Sequence, residues 1–285
     1  MERADRGMPF ILRYENVAWY EDGRVRILDR RIFPIRTEYV ECTCYAQVVA
    51  AIRNMVTQSG GPYIAASMGM VLAVYEGIDK GEDLLPFLER AQRELARARP
   101  TTAVRMEPIT QTVLQAVRTA LEAGAAGGEL VDTALTAALE QTNRIYRRNR
   151  KFGAYITDIL PHGATVLTHC YGESVISGML VACKERGNPI RLICDETRPY
   201  FQGSRLTASV AADMGFETVV ISDGMPAYIM ETERVDALVT GSDLVTMDGH
   251  VVNKVGTFSC ALAAKYWGIP FYPAGSPNLQ AKDRS

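Results

Sequence analysis

Residues 164–196 read ATVLTHCYGESVISGMLVACKERGNPIRLICDE. An apolar run ends in a cysteine, an amphipathic stretch long enough for a crossover helix follows, and a second apolar run ends in two acids. The runs are continuously apolar rather than alternating, as expected of strands covered by helices on both faces. The unit repeats downstream. ETVVISD (217–223), ALVTGSD (237–243) and PFYPAG (270–275) are further strand candidates, with QGSRLTASVAADMG and NKVGTFSCALAAKYWG among the helical segments between them. Strand–helix alternation of this kind predicts an α/β fold with a doubly wound parallel sheet over residues 151–285.

Ligands of such sheets bind at the carboxyl ends of the strands. Those ends carry His169-Cys170-Tyr171-Gly172, Asp195-Glu196-Thr197-Arg198, Ser222-Asp223-Gly224 and Gly241-Ser242-Asp243. Polar chemistry is therefore gathered on one rim.

Residues 1–150 are of another kind. LRYENVAWYEDGRVRILD (12–29) lies in a stretch, 10–40, that alternates apolar and polar around Glu21-Asp22-Gly23, a hairpin signature with Asp-Gly at the turn. Helical periodicity follows over 44–58 and 62–77, on either side of Ser59-Gly60-Gly61-Pro62. It continues over 82–98 and 107–146, the last interrupted by Gly124, Gly127 and Gly128. The expectation is an N-terminal β-meander attached to a helical domain.

Composition narrows the partners. A net charge of −2 and a charged fraction of 22% give no electrostatic reason for a nucleic-acid or membrane-surface partner. The opening MERADRGMPF has no apolar core of a secretion signal and no apolar run approaches a membrane span, so a cytoplasmic location is expected. The six cysteines, 42, 44, 170, 183, 194 and 260, are then expected as thiols. They form no CxxC pair, and histidines 162, 169 and 250 show no ligand spacing, so no metal is expected. There is no GxGxxG after a strand, no GxxxxGK[ST] and no GxSxG, which weakens dehydrogenase, kinase and hydrolase readings together.

Four groups carry candidate chemistry. Cys170 lies between a strand end and a helix start near Gly172 or Ser174, where the helix dipole favours a thiolate; the alternative is a buried small apolar residue. Asp243, followed by apolar Leu244-Val245, is placed to act as a general acid, or else caps a helix. Asn253-Lys254 is expected to open the helix through 267, where an anionic ligand would offset the poor placing of a lysine. Ser59-Gly60-Gly61-Pro62 before a helix is a possible anion cradle, or an ordinary glycine turn. Thr197-Arg198-Pro199, Gln202-Gly203-Ser204-Arg205 and Arg99-Pro100-Thr101-Thr102 are comparable phosphate-compatible loops.

In order, these pieces resemble a known family. ICDETRPYFQGSRLTA (193–208), VISDGMPAYIM (220–230) and VDALVTGSDLVTMDGHVVNKVGTFSCALAAKYWGIPFYPAG (235–275), with AIRNM (51–55), GPYIAAS (61–67) and RPTTAV (99–104), are similar to the methylthioribose-1-phosphate isomerases. That superfamily also holds ribose-1,5-bisphosphate isomerase and the regulatory subunits related to initiation factor 2B. The resemblance implies a C-terminal Rossmann-like domain, a homodimer and a place in methionine salvage. It implies catalytic roles for Cys170 and Asp243, and substrate contacts from Ser59, Gly60, Gly61, Arg99, Gln202, Asn253 and Lys254. Two departures stand out. The family's Arg-Gly-Ala-Pro phosphate loop reads Ser59-Gly60-Gly61-Pro62 here, and Tyr171-Gly172-Glu173 replaces a small Asn-Ala-Gly. Members of the family also usually continue beyond the point that matches Ser285.

The implied reaction converts an aldose 1-phosphate to a ketose 1-phosphate. A glycosyl phosphate cannot open to an aldehyde unaided, so ring opening needs an acid, assigned to Asp243, and hydrogen transfer needs a second group, assigned to Cys170. A hydride shift is the mechanistic alternative, and no cofactor is needed for a redox-neutral change. The rival readings are a ribose-1,5-bisphosphate isomerase and a non-catalytic sugar-phosphate or nucleotide sensor of the initiation-factor type. A dinucleotide enzyme using Asp195 or Glu196 ranks last, because the glycine fingerprint is missing.

Overall fold

The computed structural model describes residues 3–100 and 103–275. The chain divides into two compact units: the first reaches Ile145, and the second begins at Tyr146 and also takes Gly7–Pro9.

The first unit starts with a 3-10 turn, Phe10–Leu12, and a short helix α1 (Tyr14–Val17), so residues 10–17 coil where alternation suggested a strand. Strands β1 (Ala18–Glu21), β2 (Arg24–Leu28) and β3 (Tyr39–Cys42) form an antiparallel meander. Asp22 (φ 46°) and Gly23 (φ 76°) both lie in the left-handed region, the requirement of a tight two-residue hairpin turn. Next come α2 (Tyr45–Arg53), α3 (Gly61–Asp79), α4 (Leu84–Ala96) and α5 (Ala103–Glu122). Helix α3 is buried around most of its circumference, with Met68, Met70, Val71, Leu72 and Val74 all at 0% exposure; it is the central helix of its unit. The helical stretch expected over 107–146, interrupted by glycines, is two helices. Gly124 (φ 89°) and Gly127 (φ 57°) break it, and α6 (Gly128–Ile159) runs on past the boundary expected at 150.

The second unit is built on β4 (Thr165–Thr168), α7 (Glu173–Glu185), β5 (Arg191–Asp195), α8 (Ala208–Asp213), β6 (Glu217–Ile221), α9 (Pro226–Thr232) and β7 (Ala237–Gly241). A two-stranded hairpin, β8 (Leu244–Val245) with β9 (Val251–Val252), precedes α10 (Thr257–Tyr266) and β10 (Phe271–Ala274). The five long strands pair in parallel in the order β10-β7-β4-β5-β6. Leu167, Ile193, Ile221 and Leu238 from four strands pack with Cys260 and Ala264 of α10. The chain winds outward from β4 through β5 to β6, then crosses back to lay β7 on the other side of β4. The doubly wound sheet and its strand candidates are as the sequence predicts; the β8–β9 hairpin was not anticipated.

The point where winding reverses is the crevice between the ends of β4 and β7, the place where open α/β sheets bind ligands. It is very narrow at the backbone. A Cβ on Gly172 would lie 2.8 Å from the Gly241 nitrogen, and one on Gly241 would lie 3.0 Å from Gly172 Cα. Only glycine on both rims permits this approach.

Candidate functional site

Cys170 stands two residues beyond β4, half-buried, in left-handed backbone at φ 64°. Non-glycine residues adopt this conformation at a cost of about 1–3 kcal/mol and hold it only where neighbours enforce it. Two neighbours do so. The Cys170 N–H donates to Thr197 Oγ1 at 2.8 Å, and the Thr207 hydroxyl donates to the Cys170 carbonyl at 2.7 Å. Gly172 caps α7, so the cysteine precedes a helix start as expected.

Thr197 is itself at φ 62°, a rare conformation for a β-branched residue. Its hydroxyl donates to the Asp195 carbonyl at 3.1 Å, and its N–H, together with that of Arg198, donates to the two carboxylate oxygens of Asp223 at 2.8 Å each. Asp223 follows β6. A relay of hydrogen bonds therefore runs from the third strand through the loop after the second to the cysteine after the first.

Behind Cys170, His169 is 1% exposed. Its Nδ1 lies 2.8 Å from Asp195 Oδ2, and its Nε2 lies 2.8 Å from the Val255 carbonyl. The Cys260 thiol donates to the same Asp195 Oδ2 at 3.2 Å. Burial raises the Asp195 carboxyl from its ordinary value and opposes a charge on His169. For His169, the bonds to Asp195 and to the Val255 carbonyl outweigh burial, so its pKa is raised. Burial and the neighbouring Asp195 raise the Cys260 thiol, which stays protonated.

Gln202 is buried and opens the segment that passes through a π-helical turn, Gly203–Thr207, into α8. Such turns often mark functional positions. Its Oε1 has no hydrogen-bond partner among the described residues. A buried carbonyl left without a donor costs about 1–3 kcal/mol, a cost that a ligand or a water would remove.

Asp243 does not end the strand. β7 stops at Gly241, and Asp243 opens the β8–β9 hairpin, its N–H bonded to the Val252 carbonyl at 2.9 Å and its side chain exposed. Asn253 and Lys254 do not open a helix either. Gly256 at φ 101° is the cap and α10 begins at Thr257. Asn253 Nδ2 donates to Thr257 Oγ1 at 3.0 Å, and Lys254 Nζ lies 5.8 Å from the centre of the Tyr200 ring.

The remaining expected contacts belong to the first unit. Ser59 is at φ 59°, Gly60 caps α3, and Pro62 follows in its first turn. A Cβ on Gly61 would lie 1.9 Å from Thr57 Oγ1 and 3.2 Å from Arg30 Nη1. Arg30 is fully buried, donating to the carbonyls of Gln58 at 2.6 Å and Ile11 at 3.1 Å. A cation thus lies beneath the turn that lacks the family's arginine. Arg99 is half-buried just beyond α4; Thr101 and Thr102 of its loop lie outside the described residues.

The second unit therefore gathers Cys170, Gln202, Asp243, Asn253 and Lys254 on the carboxyl ends of its sheet. Sequence reasoning placed Asp223 on the rim without a role, gave Asp195 one only in the dinucleotide reading and Thr197 one only as part of a phosphate-compatible loop, counted Cys260 among the thiols and gave His169 no role. The signal available was local: a histidine immediately before the candidate cysteine, and acids at two neighbouring strand ends.

A parallel sheet with a thiol, a carboxylate and a buried amide at its switch point defines a class, the α/β proteins with a small-molecule site at the strand ends. Comparison with known proteins narrows it. A sequence profile of the initiation factor 2 subunit family matches residues 58–277, and the chain belongs to that family. It is 34% identical over 267 residues to methylthioribose-1-phosphate isomerase of Desulforudis audaxviator, covering 90% of this chain and 75% of that one. The isomerase of Thermotoga neapolitana is 35% identical over 276 residues, covering 92% and 77%. Among solved structures, 5-methylthioribose 1-phosphate isomerase from Pyrococcus horikoshii matches with a TM-score of 0.79 at 25% identity, covering 94% and 77%. Subunit delta of translation initiation factor eIF-2B from A. fulgidus matches at 0.77 and 30%, covering 91% and 77%.

Proposed function

We propose that this protein is a sugar-phosphate isomerase that converts an aldose 1-phosphate, 5-methylthioribose 1-phosphate first among candidates, to the ketose 1-phosphate. The observation that carries the reading is the Gly172–Gly241 approach, which brings the loops bearing Cys170 and Asp243 together at the switch point. In this reading Asp243 gives a proton to the ring oxygen, and Cys170 handles the hydrogen moved from C2 to C1. Gln202 Oε1 accepts from a substrate hydroxyl, and Asn253 and Lys254 hold the phosphate. The contacts expected of Ser59, Gly60, Gly61 and Arg99 belong to the first unit by itself, where the backbone at the start of α3 lies over the buried Arg30 guanidinium. The change is redox-neutral and uses no cofactor. We place the enzyme in the cytoplasm as a homodimer, in keeping with an absence of membrane-spanning helices among the described residues and with exposed Phe258, Leu262 and Tyr266 along one face of α10.

General acid–base groups contribute about 10²–10⁴-fold in rate. Purified protein is expected to turn over methylthioribose 1-phosphate, with Cys170→Ser and Asp243→Asn each reducing kcat by that order. Ribose 1,5-bisphosphate and 5-deoxyribose 1-phosphate complete the panel and decide the C5 substituent. The likeness to the eIF-2B subunit favours one rival, a sensor; binding of the panel without conversion would replace the isomerase by it.

A further inference from the structure

His169 does more than fill the space behind Cys170. Its ring is almost sealed, and each nitrogen faces an oxygen: the Asp195 carboxylate on one side and the Val255 carbonyl on the other. A carbonyl only accepts, so Nε2 carries a hydrogen. Asp195 Oδ2 receives both the imidazole Nδ1 and the Cys260 thiol. With the proton between Nδ1 and Oδ2 placed on the ring, Asp195 is a carboxylate that accepts from both Nδ1 and the Cys260 thiol, and the ring is an imidazolium, the state that the bonds to Asp195 and the Val255 carbonyl favour against burial. Asp223 is the other acid whose charge favours this state.

The Val255 carbonyl lies in the loop that carries Asn253 and Lys254. The next residue, Gly256, is in left-handed backbone, and a Cβ there would lie 2.6 Å from His169 Cε1. The loop is thus pressed against the imidazole ring and tied to it by a charge-assisted hydrogen bond, stronger than a neutral one. The donor atoms of His169, Asp195 and Cys260 lie within 4.8 Å of one another, a spacing that also invites a metal. The 2.8 Å Nδ1–Oδ2 separation is that of a hydrogen bond, however, and Nε2 is committed to the carbonyl.

We propose that His169, held as a cation by Asp195 with Cys260 in support, is a positioning residue that clamps the 253–256 loop and so sets the placing of Asn253 and Lys254 for substrate phosphate. The role of those two residues rests on the isomerase reading; the clamp itself does not.

Three readouts on the full-length protein test it. In protein labelled with ¹⁵N-histidine at pH 7, His169 is expected to show both ring nitrogens protonated, its signal assigned with His162→Gln and His250→Gln. In His169→Gln, hydrogen exchange at the Thr257 amide, which bonds to the Lys254 carbonyl, is expected to accelerate at least about tenfold, while His162→Gln leaves it unchanged. With methylthioribose 1-phosphate, the same variant is expected to raise KM on the order of ten- to a hundredfold with a much smaller fall in kcat. A merely structural histidine would lower kcat with the folded fraction and leave KM in place. A singly protonated ring in the wild type overturns the proposal, as does a folded His169→Gln with unchanged exchange and KM. If the wild type converts nothing on the substrate panel, the isomerase reading fails, and spectrum and exchange still decide the clamp. If His169→Gln does not fold, the wild-type spectrum decides it.

Discussion

Thr197 combines a strained backbone with hydrogen bonds made by its hydroxyl, and the sign of a substitution there separates the two effects. Thr197→Ser keeps the hydroxyl that receives the Cys170 N–H and removes the β-branch that opposes positive φ, so stability is expected to hold or rise. Thr197→Ala removes the acceptor and leaves a buried donor, with an expected loss of about 1–3 kcal/mol, measured by urea denaturation. His169 gives a second prediction at this scale. Its pKa in the folded protein lies above the unfolded value of 6.5, so the stability it contributes is complete below about pH 6.5 and is lost as pH rises through the folded value. Urea midpoints measured from pH 6 to 9 are expected to fall in the wild type and to fall less in His169→Gln. A flat wild-type profile would contradict the assignment. Asp248 works in the opposite sense: bonds from Thr246 and His250 hold its carboxyl down to about 2, so its exposed hairpin tip weakens only below the ordinary carboxylate range.

At the scale of elements, the close passage of the loops after β4 and β7 predicts that Gly172→Ala is costly. The added methyl meets backbone, which cannot swing aside, and a loss of about 1–3 kcal/mol or more is expected from thermal melts. The five long strands and the Asp-Gly hairpin were legible in sequence because each announces itself locally, by an apolar run or by a turn that needs positive φ. The break between α5 and α6 was legible in part, since Gly124 and Gly127 interrupt the helical period. What was not legible depends on tertiary register. Nothing in the spacing of 169, 195 and 260 says that their side chains converge, because each sits at a different strand end or helix turn. The start of α10 was placed too early for a local reason. Gly256 was read as part of a helix, whereas its φ of 101° makes it the cap and leaves Asn253 and Lys254 in the preceding loop.

At the scale of the whole chain, the exposed apolar face of α10 leads to a test of association. Val255 and Phe258 are about three-quarters exposed, and Leu262 and Tyr266 follow at helical spacing. Such a stripe is unusual on a surface that meets only water. If a second copy covers it, sedimentation is expected to give a dimer of about twice 31.4 kDa, and Phe258→Glu with Leu262→Glu is expected to give monomers. A wild-type monomer at micromolar concentration would remove the homodimer from the proposal.

The order of strands has a consequence for how the protein is made. Cys170 and its neighbours leave the ribosome early in the second unit, and β5 and β6 can pair on one side of β4 soon afterwards. The other wall of the crevice arrives last. β7, the β8–β9 hairpin and the loop tied to His169 all come from residues after 236, so no nascent chain shorter than about Thr257 contains the complete set of site residues. Until then the thiol faces an open sheet edge. A thiol-reactive probe applied to stalled chains of increasing length is expected to label Cys170 readily before β7 emerges and slowly once it has docked, which would date the birth of the site to the arrival of β7 and the β8–β9 hairpin.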